Sequence, residues 1–153
     1  MTASSLATTT AGSTIAISAA APAANTKTGY SALTFTEIGE VSDLGTLGRT
    51  YNTVTFSPVA SRGVRKIKGS FDDGQMPLKI AHAPGDPGQV ILAAALDDDA
   101  FYSFELTLQD GTIKYFRAQV SSYPVELGGV DSITMSTVNL EVMSGTIITV
   151  LPA

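Results

Sequence analysis

Residues 101–120 read FYSFELTLQDGTIKYFRAQV, two alternating hydrophobic runs on either side of Asp110-Gly111. Asp-Gly in that setting is the strongest short-range signal of a β-hairpin. The apolar pattern also selects the register. A two-residue turn sets Leu108 against Ile113 and Leu106 against Tyr115, but it also sets Phe104 against Arg117, mixing core and charge on one face. A three-residue loop with Gly111 in the left-handed bulge position pairs Leu108 with Thr112, Phe104 with Phe116 and Tyr102 with Ala118. A slip of one residue would scatter that hydrophobic set, so the bulged form is expected. It gives one apolar face, on which the stem of Lys114 can lie across Leu106. The second face sets Ser103, Glu105 and Thr107 against Ile113, Tyr115 and Arg117. Ile113 and Tyr115 predict that this second face also meets something.

Outward from the hairpin, the chain is mostly strand-like. Leu33–Ile38, Arg49–Ser57, Val64–Phe71 and Met76–Ala81 carry the β-branched and aromatic enrichment of strands. Gly39–Gly48 has no phosphate-loop spacing and reads as a flexible connection, and Asp72-Asp73-Gly74 reads as a turn. Asp86 as N-cap, Pro87 at the first helical position and Gln89 three residues after the cap predict a helix over Gly88–Leu96. Asp97, Asp98 and Asp99 would oppose the helix dipole, so they are expected either just past its end or held there for another purpose. Ser132–Met143 predicts a long strand. Its apolar parity switches, which points to a bulge or a change of neighbour near Ser136. Gly145–Leu151 predicts a last strand. The fold class is mainly β (α+β): an antiparallel β-sandwich or open barrel with one flanking α-helix.

Residues 1–26 hold no charged side chain and are mostly Ala, Thr and Ser, too little apolar surface to fold alone. Residues 1–27 therefore read as a flexible N-terminal arm, or as one that orders against another subunit by strand addition. Residues 28–153 read as the domain. The leader lacks the basic start and sustained apolar run of a signal peptide and is read as unprocessed. No run approaches the roughly 20 apolar residues of a membrane helix, so no membrane anchor is expected.

Charged residues are 15% of the 153, against about 25% in ordinary soluble domains. Such a surface is either unusually neutral or largely covered by neighbours. The formal net charge of −5 argues against nonspecific nucleic-acid binding. With no Cys and a single histidine, His82, thiolate chemistry and transition-metal binding are not expected. No Gly-x-Ser-x-Gly elbow accompanies His82, so it reads as a loop histidine. Asp97–Asp99 lack the alternate-acid spacing of a calcium loop. Arg62, Arg65, Lys66 and Lys68 put four basic residues in seven, without the nearby aromatics that stack nucleic-acid bases. They read either as a solvated strand face or as a strip that meets the acidic clusters, Asp97, Asp98 and Asp99 among them, of another copy. The shortage of charge and the two apolar-bearing hairpin faces favour the second.

The order and spacing of several segments resemble the major tail tube proteins of long-tailed, non-contractile bacteriophages, the lambda-like tail tube family. The resemblance runs from about Thr34 to Val150. It is carried by Thr36-Glu37-Ile38-Gly39-Glu40-Val41, by Val64-Arg65-Lys66-Ile67-Lys68-Gly69 and by Asp86-Pro87-Gly88-Gln89. Phe104–Thr112 and the closing Thr137–Gly145 complete it. The leader at 1–26 is an addition to the pattern. The resemblance implies a β-sandwich with a flanking helix, no catalysis and no cofactor. It implies six-membered rings stacked into a tube in the virion, with a loop reaching the next ring. DNA would pass without specific binding, and tape-measure, tail-terminator and tail-tip proteins would be further partners. On that footing the mixed hairpin face, Ser103, Glu105, Thr107, Tyr115 and Arg117, is expected at or near the bore. The alternatives are a tube subunit of a related injection device (a contractile tail, a secretion system or a gene-transfer particle) or a soluble immunoglobulin-like binding module.

Overall fold

The computed structural model describes residues 7–152. The 101–120 stretch forms strands β7 (Tyr102–Thr107) and β8 (Ile113–Ser122) in the bulged register. Tyr102 faces Ala118, Phe104 faces Phe116, and Leu106 faces Lys114. Gly111 sits at φ 95°, where a side chain would be strained, and the Leu108 N–H donates to the Thr112 carbonyl at 2.8 Å. Phe104 and Phe116 stack at 5.3 Å between centroids.

Strands are added on both sides of this hairpin. The sheet also contains β1 (Thr14–Ser18), β2 (Thr36–Glu37), β3 (Val41–Asp43), β6 (Gln75–Ala81) and β10 (Met135–Val142). Its order is β2-β1-β7-β8-β10-β6-β3, with antiparallel pairing throughout. β10 borders the second half of β8, and β11 (Ile148–Val150) borders the first half. β9 (Val125–Glu126) pairs with Met135 and Ser136, so β10 changes neighbour just after Ser136. The register shift itself lies at Asn139/Leu140. The apparent parity switch has a simple cause: Ile133 lies outside the strand and is exposed, while Ser136, Val138, Leu140 and Val142 all point inward. The sheet curls around one core built from Ile15, Ile17, Leu78, Ile80, Phe104, Phe116, Val138 and Leu140, with Leu92 and Ala95 from helix α2 (Pro87–Leu96).

The Asp86-Pro87-Gly88-Gln89 run is where the helix locks onto the sheet. Asp86 caps α2 by accepting from the Gln89 N–H at 3.1 Å and also accepts from the Gly39 N–H at 3.0 Å. Gly88 lies so close to the chain at 37–38 that a Cβ would sit 2.4 Å from the Glu37 carbonyl oxygen. The buried Gln89 amide donates to the carbonyls of Gly39 and Ala81 and accepts from the Ala83 N–H. One capped helical turn thus satisfies the backbone where the chain crosses from β2 to β3.

Three expectations change. The 1–27 segment, read as an arm outside the domain, supplies β1. Ile15 and Ile17 pair against Leu106 and Phe104 and are fully buried. The strand addition is to the chain's own sheet, and residues 1–6 of the arm lie outside the described residues. A second, short helix is present, α1 (Lys27–Ser31), capped by the Thr26 hydroxyl. The expected strand over Leu33–Ile38 shrinks to Thr36–Glu37, and Phe35 lies against Tyr115 with ring centroids 6.0 Å apart.

Candidate assembly surface

Strands β4 (Thr50–Phe56) and β5 (Arg65–Asp72) pair only with each other, as a two-stranded ribbon apart from the main sheet. β4 (TYNTVTF) is rich in Thr and aromatic residues and is followed by Pro58, while β5 (RKIKGSFD) carries the basic residues with Ile67 and Phe71. Cross-strand partners share a face, so the register sorts the side chains. Val54 with Ile67 and Phe56 with Arg65 lie on one face; Thr53 with Lys68 and Thr55 with Lys66 lie on the other. The first face is apolar yet open: Val54, Phe56 and Ile67 are 54%, 57% and 61% exposed. Gly69 keeps this face flat, since a Cβ there would meet Val54 Cγ2 at 2.9 Å.

The predicted basic strip is therefore split. Arg65 travels with the apolar face, Lys66 and Lys68 with the opposite one, and Arg62 with the loop between the strands. All four are exposed, and among the described residues the one ion pair within 4.0 Å is elsewhere, between Arg49 and Asp73. Lys68 Nζ lies 4.9 Å from the centre of the Tyr51 ring. Asp97, Asp98 and Asp99 follow α2 and are exposed. Burial, and then the hydrogen bond that Asp98 accepts from the Tyr102 hydroxyl at 3.1 Å, raises the Tyr102 pKa above the usual phenol value. The structure does not bring the basic strip and these acids together within one chain.

The mixed hairpin face meets its own chain. Residues 20–35 cross it: Ser103 Oγ donates to the Ala20 carbonyl at 2.7 Å, and Tyr30 stacks on Tyr115 at 5.1 Å. Ser103 is 0% and Tyr115 4% exposed, so neither can line an open surface while that segment is in place. Burial and then Glu105 push the Tyr115 phenol up; burial does the same to Tyr30 against the opposing pull of Arg117. Glu105, Thr107 and Arg117 keep partial access, and Arg117 donates to the Phe101 carbonyl at 2.6 Å. By contrast, the outer face of β6 and β10 is mostly polar and partly open, with Gln75, Pro77 and Lys79 exposed and Met135, Thr137, Asn139 and Glu141 half-buried. His82 Nδ1 stands 3.5 Å from the fully buried Ser136 hydroxyl, which no substrate could reach.

Sequence reasoning missed the apolar face of the β4–β5 ribbon and its root. The alternation Thr53-Val54-Thr55-Phe56 was a readable signal of a two-faced strand. Nothing in it said that no second sheet covers the apolar side.

The sequence profile of the family described as lambda phage tail tube protein matches residues 21–146. Among solved structures, a chain of the anti-feeding prophage (AFP) baseplate superposes with TM-score 0.63 at 10% identity over 91% of each chain. The SPP1 tail tube superposes with TM-score 0.62 at 14% identity, over 92% of this chain and 77% of that one. At these identities the structural likeness speaks for the fold alone. No curated protein matches the chain. The profile spans every segment on which the resemblance rested, from Thr36–Val41 through Val64–Gly69, Asp86–Gln89 and Phe104–Thr112 to Thr137–Gly145, and the chain belongs to the lambda phage tail tube protein family.

Proposed function

We propose that this chain is the major subunit of a phage tail tube, a structural virion protein whose copies close into six-membered rings that stack. The observation that carries the reading is the β4–β5 arm, open to water on both faces with Val54, Phe56 and Ile67 more than half exposed. Such a ribbon is an association hazard on a solitary protein, and a second copy removes it. Arg62, Arg65, Lys66 and Lys68 are offered for pairing, as are Asp97 and Asp99 on another surface. The arm of one copy docks beside the acidic end of α2 on another, steered by that complementarity. Contacts of this head-to-tail kind grow into filaments when they do not close.

Six copies carry a formal charge of about −30 before screening, from −5 per chain. An acidic bore repels phosphate and lets DNA slide through without specific binding. Glu105, Thr107 and Arg117 stay candidates for the bore. Ser103 and Tyr115 support that wall from beneath. The mostly polar, partly open face of β6 and β10 is a second candidate lining. The role needs no catalysis and no cofactor, and its further partners are the tape-measure, tail-terminator and tail-tip proteins.

Electron microscopy of the purified protein tests this. Hollow filaments or rings are expected from the natural sequence, and Arg65→Glu with Lys66→Glu should leave a folded subunit that does not polymerise. A protein that stays monomeric when concentrated would sink the reading, and normal filaments from the double variant would remove the basic strip from the contact. A second reading, a tube subunit of a related injection device, is compatible with the same fold, which the AFP baseplate chain shares; the genes beside this one separate the two.

A further inference from the structure

The β4–β5 arm joins the body by two strands, entering at Arg49 and leaving at Asp73-Gly74. Its blades are exposed along nearly their whole length and pair only with each other, so packing of the blades does not set its direction. At the root the Val142 N–H donates to the Gly74 carbonyl at 3.1 Å, and one side chain ties the entering strand. Asp73 is 1% exposed; its Oδ1 accepts from Arg49 Nε at 3.0 Å and its Oδ2 from the Gly145 N–H at 2.7 Å. Its own N–H donates to Ser144 Oγ at 3.2 Å. The Arg49 guanidinium carbon itself lies over Phe71, 3.9 Å from the ring centre. The Gly145 carbonyl accepts from Asn25 Nδ2 at 2.9 Å, and Asn25 Oδ1 from the Tyr30 hydroxyl at 3.3 Å.

We propose that Asp73 is a positioning residue: its carboxylate clasps the entering strand of the arm to the β10–β11 turn and fixes the direction in which the arm projects. Gly74 beside it has φ 73° and open space around it, a joint with no steric stop of its own. A carboxylate suits the place because both of its oxygens face donors. An asparagine of the same shape has one acceptor oxygen, so its amide nitrogen must point at either Arg49 Nε or the Gly145 N–H, donor against donor. The link to assembly rests on the tube-subunit reading; the effect on arm direction does not. If loss of the clasp cuts the competent pose to about a tenth of the population, apparent association weakens about tenfold.

The chain has no Cys, so a Ser61→Cys, Ser121→Cys pair can be spin-labelled uniquely. Labelled protein diluted into unlabelled protein reports the distance from arm tip to sheet within one chain. A narrow distribution is expected for the natural root. Broader, shifted distributions are expected for Asp73→Asn and Arg49→Gln at temperatures where circular dichroism shows both folded. The concentration at which filaments appear should rise about tenfold in both. Distributions unchanged in centre and width in both variants would overturn the proposal, whatever their melting temperatures. A broadened arm in a protein that never polymerises would keep the clasp and sink the tube reading instead.

Discussion

Replacing Gln89 by Leu removes a side chain that serves three backbone groups at once. The Gly39 and Ala81 carbonyls and the Ala83 N–H lose partners at 3.2, 3.0 and 2.9 Å, in a place where Gln89 is 1% exposed. Each buried group left unpaired costs about 1–3 kcal/mol. Some of them will recover water as the loop relaxes, and Leu gains about 1 kcal/mol or more from its apolar burial. The net loss is about 3 kcal/mol, a large share of the roughly 5–15 kcal/mol that holds a domain together. For a chain of this size that lowers Tm by about 6–12 °C. Urea denaturation followed by circular dichroism reads the loss as a lower midpoint at unchanged slope. Asp86→Ala should cost about 2 kcal/mol through its cap and its bond to Gly39, and the double variant should lose less than the sum, because Gly39 is held by both side chains. A loss under about 1 kcal/mol for Gln89→Leu would refute the reasoning, by showing that the crossover at 39–40 is held without this amide.

Gly88→Ala puts a methyl 2.4 Å from the Glu37 oxygen, which is backbone and cannot step aside, so a loss of about 2 kcal/mol is expected in the same urea experiment. Gly111→Ala should cost roughly 1–2 kcal/mol, because φ 95° lies in the left-handed half of the map, and should leave the core signals unchanged by NMR. Phe116→Ala should cost about 3–5 kcal/mol, since it is fully buried against Phe104. Tyr30 and Tyr115 both have raised phenol pKa values in the fold, so their contribution is full below the unfolded value of about 10 and is lost as pH rises through the higher folded values. With Tyr51, Tyr102 and Tyr123 replaced by Phe, phenolate absorbance should therefore rise together with loss of the near-ultraviolet dichroism of the stacked pair; ionisation with that signal intact would contradict the placement of the pair.

The parts of the fold that could be read early are those fixed by local chemistry. The Phe101–Val120 register followed from one hydrophobic set and a glycine that had to take positive φ, and the helix start followed from Asp86 and Pro87. β1 was hidden because its core contribution is just Ile15 and Ile17, which look like stray apolar residues in an Ala/Thr/Ser tract until β7 is beside them. The same cause hid the cover over Ser103 and Tyr115. Ile113 and Tyr115 signalled that something lies on that face, and only the path of residues 20–35 shows that it is the same chain. Of the proposed contact residues, the sequence supplied the charges, while the split of Arg65 from Lys66 and Lys68 came from the register of β4 with β5.

That split makes the arm a sharper experimental object than a basic strip would be. Arg65 flanks the apolar Val54, Phe56 and Ile67, whereas Lys66 and Lys68 flank Thr53 and Thr55. If the apolar face is the one buried between copies, Arg65→Glu alone places an acid at the edge of a desolvated patch and should block growth at any salt. Lys66→Glu then alters only a rim charge, and filaments should weaken at low salt and be affected little at high salt, because exposed charges are screened beyond about 8–10 Å. The opposite ranking would mean that the Thr and Lys face is the contact and that Val54, Phe56 and Ile67 stay exposed in the tube. Neither substitution touches the Ile15-to-Leu140 core, so both proteins should melt as the natural sequence does. Assembly can therefore be varied in this chain while folding is held fixed, because the surface proposed for contact is built on a ribbon outside the sheet that holds the core.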